Sequence, residues 1–258
     1  ALLLLGATCR RDSGSPGPAP GADAGVVADG GGGVPTPSRA RLIGIISPHA
    51  GYDYSGAVAG FAWKQLQGAG LPDAAEGADT GEAGETTVFP AQQAGGFYPV
   101  DPAVLRVQVE GFLAAAEKRP GLRVDPITTV IVMAPSHRYP FSGGAVLAED
   151  AYETPLGTVP VDTVLRAKLV EAAAGDVVVD STVFRGEHAL EVQLPFLQVA
   201  LPGVAVLPMI VGDTPLEQLE RIGQAIGGLL RERPDVVIAA SSDMSHFFTY
   251  EQAQAFDE

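Results

Sequence analysis

Three apolar, β-branched runs, Leu42 to Ile46, Thr128 to Met133 and Val236 to Ala240, are each followed within a few residues by a histidine in a Gly/Ser/Pro-rich turn. Consecutive apolar positions of this kind belong to strands covered on both faces, and such strands build a parallel sheet with helices above and below it. The turns read Ser47-Pro48-His49-Ala50-Gly51-Tyr52, Ala134-Pro135-Ser136-His137-Arg138-Tyr139 and Ser241-Ser242-Asp243-Met244-Ser245-His246. Three imidazoles therefore leave the carboxyl ends of strands, the edge at which open α/β sheets bind ligands. The fourth histidine stands in Gly186-Glu187-His188-Ala189-Leu190-Glu191, ahead of an apolar stretch expected to run as a helix to about Leu201.

Between these motifs, strands and helices alternate. Helices are expected at Ser55 to Gln67 (apolar face Val58, Phe61, Ala62, Leu66), Pro102 to Lys118 (Leu105, Val109, Phe112, Leu113), Pro160 to Ala174 (Val164, Leu165, Leu169 inward) and Pro215 to Arg231. Further strands are expected at Gly144 to Ala148, Val177 to Val179 and Val204 to Val211. The fold class this predicts is an α/β sandwich with a mostly parallel central sheet and helices on both faces, occupying residues 41–258, with 68–87 as an inserted loop.

The first forty residues do not share this pattern. Residues 10–40 are mostly Gly, Pro, Ala, Ser and Asp, which cannot bury enough apolar area to offset ordering and predict a disordered tether. Ahead of it, Ala1 to Leu5 and the single cysteine, Cys9, resemble the end of a bacterial lipoprotein export signal, with residues 1–9 as its remnant. Gly6 and Thr8 depart from that pattern, which has Leu three residues before the cysteine and Gly or Ala just before it. The resemblance implies lipidation at Cys9 and a periplasmic or cell-surface protein held by a lipid anchor, with ordinary export and a cytoplasmic protein as the alternatives. A lone cysteine outside the core makes no disulfide framework. A net charge of −15 argues against nucleic acid as a partner, since phosphate binding needs a dominant Lys/Arg field.

Imidazole is the commonest protein ligand for transition metals, and two histidines plus a carboxylate make the usual non-haem Fe(II) oxygenase arrangement. Asp243, three residues before His246, and Glu187 compete for the carboxylate role. His188 reads either as a helix-start residue or as a general base or metal partner. His188, Asp243 and His246 form the candidate catalytic set. Tyr52, Tyr54, Arg138 and Ser245 are candidates for a substrate pocket, with packing and loop anchoring as the alternative for Tyr52, Tyr54 and Arg138; an Arg fork with nearby tyrosines suits an anionic or aromatic ligand. Ser136 and Ser245 beside histidines invite a hydrolase reading, but the chain has no Gly-x-Ser-x-Gly elbow.

Together these strings resemble the Memo family, the protein B of AmmeMemoRadiSam gene sets: Pro48-His49-Ala50-Gly51-Tyr52, Ala94-Gly95-Gly96-Phe97-Tyr98-Pro99, Pro135-Ser136-His137, Glu187-His188 with Glu191-Val192-Gln193-Leu194-Pro195-Phe196, and Ser241-Ser242-Asp243 with Ser245-His246. The resemblance implies a fold like that of class III extradiol dioxygenases and a metal pocket at one sheet edge, with His49 and His137 as ligands and His188 as the third histidine. It further implies iron(II) as first expectation, with copper or zinc as alternatives, and either an oxidoreductase acting on a small aromatic or anionic ligand or a metal- or (phospho)peptide-binding module. Some members carry a cysteine where this chain has Ser245, which counts against a copper(I)-thiolate site. The Phe-Tyr-Pro string follows the Pro-His-Ala-Gly-Tyr string here, the reverse of the family's order, and the family extends further past the last motif, so the chain is expected to be truncated.

Overall fold

The structure is a computed structural model that describes residues 2–4, 25–26, 42–70, 86–120 and 124–243. Its strands are β1 (Leu2–Leu4), β2 (Gly25–Val26), β3 (Gly44–Ser47), β4 (Val88–Phe89), β5 (Thr129–Pro135), β6 (Gly144–Val146), β7 (Ala151–Thr154), β8 (Gly157–Pro160), β9 (Val177–Val179), β10 (Ala205–Val211) and β11 (Val236–Ser241). Its helices are α1 (Tyr52–Lys64), α2 (Pro102–Ala115), α3 (Thr163–Ala172), α4 (His188–Glu191), α5 (Leu194–Ala200) and α6 (Leu216–Glu232). The main sheet runs β2-β1-β3-β11-β5-β10-β6-β9. From β1 to β10 all neighbours are parallel; β2 and β6 pair antiparallel to β1 and β10. The three runs that precede histidines are thus β3, β11 and β5, side by side at the centre.

Side chains of the central strands alternate between two cores, as the period of two demands. On β5, Val130, Val132 and Ala134 join Trp63, Leu105, Val109 and Phe196 from α1, α2 and α5. Ile131 turns the other way, to Leu165 and Leu169 of α3 and Ile222, Ile226 and Leu229 of α6. Helices therefore cover both faces, as the sequence predicts.

Local chemistry sets the helix starts. Asp101 accepts from the backbone N–H of Ala103 and Val104 ahead of α2, with Pro102 in its first turn. α1 and α2 approach closely because Gly56 and Gly60 face Phe112; a Cβ on Gly60 would lie 2.7 Å from the Phe112 carbonyl oxygen.

Three expectations need correction. The helix placed from Pro160 begins at Thr163, because Gly157–Pro160 pairs with Ala151–Thr154 and Asp162 then accepts from Leu165 N–H at 2.8 Å. With that start Val164 faces solvent, 53% exposed, leaving Leu165 and Leu169 as the buried pair. Second, β4, β7 and β8 form a separate three-stranded sheet with no counterpart in the sequence reading, being too short to show a run. Third, the helix expected from His188 to Leu201 is two, α4 and α5, broken near Val192 and Gln193 with Pro195 in the first turn of the second. Cys9, Ser245 and His246 lie outside the described residues, as does the expected tether apart from the paired Gly25–Val26. Of the expected loop at 68–87, residues 71–85 lie outside them too.

Candidate metal centre

His49 sits two residues past β3, His137 two past β5 and Asp243 two past β11, so strand register alone gathers them at one edge. His188 arrives from elsewhere, as the first residue of α4. The ring centroids of His49 and His137 are 5.2 Å apart, those of His49 and His188 5.5 Å, and those of His137 and His188 4.8 Å. One ligand nitrogen from each of the three lies within 4.8 Å of the others. The cluster is graded in depth: the His49 side chain is 4% exposed, that of His188 16% and that of His137 38%, so it opens to solvent on the His137 side.

Two carboxylates serve this cluster. Glu187, 1% exposed, accepts from the backbone N–H of His137 at 2.6 Å, stands 2.9 Å from His137 Nδ1, and caps α4 by accepting from Ala189 N–H at 3.0 Å. Burial alone would raise the Glu187 carboxyl, but the donors from Ala189 and His137 hold it below its ordinary value. Asp243 accepts from the backbone N–H of His49 at 2.7 Å, and its second oxygen lies 3.6 Å from His49 Nε2.

Burial pushes the His49 imidazole down to about 4, with neighbouring His137 and His188 adding to the drop and Asp243 opposing it. Burial likewise lowers His188, against the pull of Glu187. Both are neutral near pH 7, the form that coordinates metal. Nδ1 of His188 is buried and makes no hydrogen bond among the described residues, with Glu187 Oε1 3.4 Å away. Clustered imidazole nitrogens, beside two carboxylates whose charge a divalent cation would balance, are a donor set that fits a metal.

Several neighbours stand in the strings quoted from the sequence, which assigns them no role at the site. The Phe97 ring stacks on His188 at 4.4 Å and 24°. The Phe-Tyr-Pro string that carries it therefore reaches the site although it follows His49 in the chain, and the Phe97 carbonyl accepts from Tyr52 N–H. Glu191, fully buried, accepts from the N–H groups of Gln92 and Gln93 and from the hydroxyls of Tyr98 and Tyr152, tying that loop to α4; burial pushes its carboxyl up. Ser241 and Gln193 contact the buried side of His49 and its turn.

The proposed substrate residues divide. Arg138 is at the site, donating to the Gly186 carbonyl at 3.2 Å and lying close enough to His188 to disfavour its protonation. Tyr52 is a core residue instead: 4% exposed, it packs on Tyr98, Phe112 and Phe196 and donates its hydroxyl to the Val192 carbonyl. Tyr54, at the start of α1, points outward, 66% exposed.

With this geometry in place, residues 121–258 match the model of the family described as Memo-like protein. A MEMO1 family protein of Caldivirga maquilingensis is 27% identical over 215 residues, covering 83% of this chain and 56% of that protein. One from Methanothermobacter thermautotrophicus is 26% identical over 221 residues, covering 85% and 60%, and one from Aquifex aeolicus is 36% identical over 137 residues, covering 53% and 50%. The chain belongs to the Memo-like family. It spans between half and about 60% of the length of these relatives. His49 stands ahead of the segment matched by the family model, and the parallel sheet carries it to the residues within that segment.

Proposed function

We propose that His49, His137 and His188 hold a divalent metal and that the chain is a non-haem iron(II)-dependent oxidoreductase acting on a small aromatic or anionic ligand. The observation that carries this reading is the convergence of three ligand nitrogens, far apart in sequence, within 4.8 Å. When bound, such an ion would act as a Lewis acid toward the ligand and offer open positions to dioxygen. The residues of the chain supply the rest. Glu187 orients His137, Asp243 stands beside His49, Phe97 backs His188, and Arg138 supplies positive charge near the open side. Fe(II) is favoured by the nitrogen donors together with the nearby Asp243 carboxylate.

A second reading has its own support. The residues whose ligand atoms cluster tightly are all imidazoles, a set that zinc or copper accepts as readily, so a metal- or peptide-binding module without redox chemistry would use the same pocket. Metal analysis of anaerobically purified protein, followed by oxygen-uptake assays with catechols, separates the two. About one equivalent of iron with catechol-dependent uptake supports the oxidoreductase. A bound metal with no uptake supports the module, and protein that takes up no divalent metal overturns the oxidoreductase and the metal-binding form of the module.

A further inference from the structure

Hydrogen bonds on the buried side of His49 determine which of its nitrogens carries the proton. The count begins at Trp63, whose indole N–H can only donate. It donates to Oε1 of Gln193 at 3.0 Å, which fixes the orientation of that amide. Nε2 of Gln193 then points its hydrogens at the Pro48 carbonyl at 2.8 Å and Ser241 Oγ at 2.9 Å, with the Ser47 carbonyl more distant at 3.5 Å. The single hydroxyl hydrogen of Ser241 goes to the Ala189 carbonyl at 2.6 Å, a group that can only accept. With its hydrogen committed, Ser241 Oγ offers only lone pairs to His49 Nδ1, 3.1 Å away. The hydrogen between them must therefore sit on Nδ1. In the opposite tautomer, lone pairs would face each other across that contact, inside a region where Trp63, Gln193, Ser241 and His49 are all 4% exposed or less. The gain on the far side would be small, since Asp243 Oδ2 is 3.6 Å from Nε2, too long for a hydrogen bond.

We propose that Ser241 and Gln193 are positioning residues that lock His49 in its Nδ1–H form, so that the Nε2 lone pair is already presented before any metal arrives. This rests on the metal-site reading above. His137 reaches the same state by a different partner, with Nδ1 held by the Glu187 carboxylate at 2.9 Å. The two ligands are thus oriented by unlike groups, a neutral hydroxyl and an anion. Outer partners of this kind typically contribute about 10- to 100-fold to metal affinity.

The test is 15N NMR of imidazole-labelled, metal-free protein, with zinc titration alongside. The His49 signals should show a protonated Nδ1 and an unprotonated Nε2. In Ser241→Ala the acceptor for the Nδ1 hydrogen is lost while Asp243 Oδ2 remains 3.6 Å from Nε2, so the proton should move toward Nε2 and zinc affinity should fall about 10- to 100-fold. Ser241→Thr, which keeps the hydroxyl, should restore both. A protonated Nε2 in the unsubstituted protein overturns the proposal, as does a tautomer unchanged by Ser241→Ala. The tautomer is read without metal, so failure of the unsubstituted chain to bind zinc would sink the metal reading while the NMR result still decides this one.

Discussion

Oε2 of Glu187 accepts the backbone N–H of His137 at 2.6 Å while its Oε1 lies 2.9 Å from Nδ1 of the same residue, so one buried carboxylate holds both the main chain and the ring of a proposed ligand. Glu187→Gln keeps the size but removes the charge and puts an amide where an acceptor stood. Zinc affinity should fall about 10- to 100-fold, as for other outer partners of metal-bound histidines. Isothermal titration checks this, and an unchanged affinity would show that the pair is structural only.

His49→Ala and His137→Ala should each remove stoichiometric metal from anaerobically purified protein. Tyr54→Ala, altering a residue 66% exposed, should leave metal content unchanged. Elemental analysis of the three variants side by side decides whether the clustered imidazoles are the ligands.

The acid limb of stability should carry the signature of His49. Its folded-state value near 4 lies below the ordinary 6.5, so the unfolded chain binds the proton more readily. The contribution is therefore fully present above pH 6.5 and is lost as pH falls from there to about 4, on the order of 3 kcal/mol in all. Urea titrations of metal-free protein between pH 7 and 4 measure it. His49→Gln should flatten that stretch of the curve.

Gly111→Ala should stabilise the fold and Gly60→Ala should not. Alanine gains about 1 kcal/mol over glycine inside a helix. At Gly111 a Cβ meets nothing within 4 Å, so that gain should appear. At Gly60 the Cβ would press on the Phe112 backbone and force α1 from α2, and overpacking costs about 1 to 3 kcal/mol, enough to cancel or reverse the gain. Comparing the two melting temperatures tests the packing.

The parallel centre of the fold was legible because β3, β5 and β11 are buried on both faces and so read as unbroken apolar runs. The convergence of His49 and His137 followed from that, since both leave the same ends of parallel strands. What escaped was decided by distant partners. Whether Tyr52 faces a pocket or the core depends on Phe112 and Phe196, and Phe97 reaches His188 only because Glu191 anchors the loop before it. Gln193 and Ser241 stand in the strings that carry the family resemblance, but nothing in the sequence assigned them a role at the site. One interrupts an apolar stretch, the other ends a strand, and only the folded sheet brings them together at His49.

The bonds that build the centre span long stretches of chain: 194 residues separate His49 from Asp243, 192 separate it from Ser241, and 50 separate His137 from Glu187. Closing loops of that size is slow, and the two contacts from His49 are not rewarded until β11 has docked between β3 and β5. Affinity for metal should therefore be the last property to return on refolding, after helical signal and core burial. An ion joining His49 to His137 and His188 would then act as a clasp across the finished topology, slowing its reopening more than it hastens its assembly.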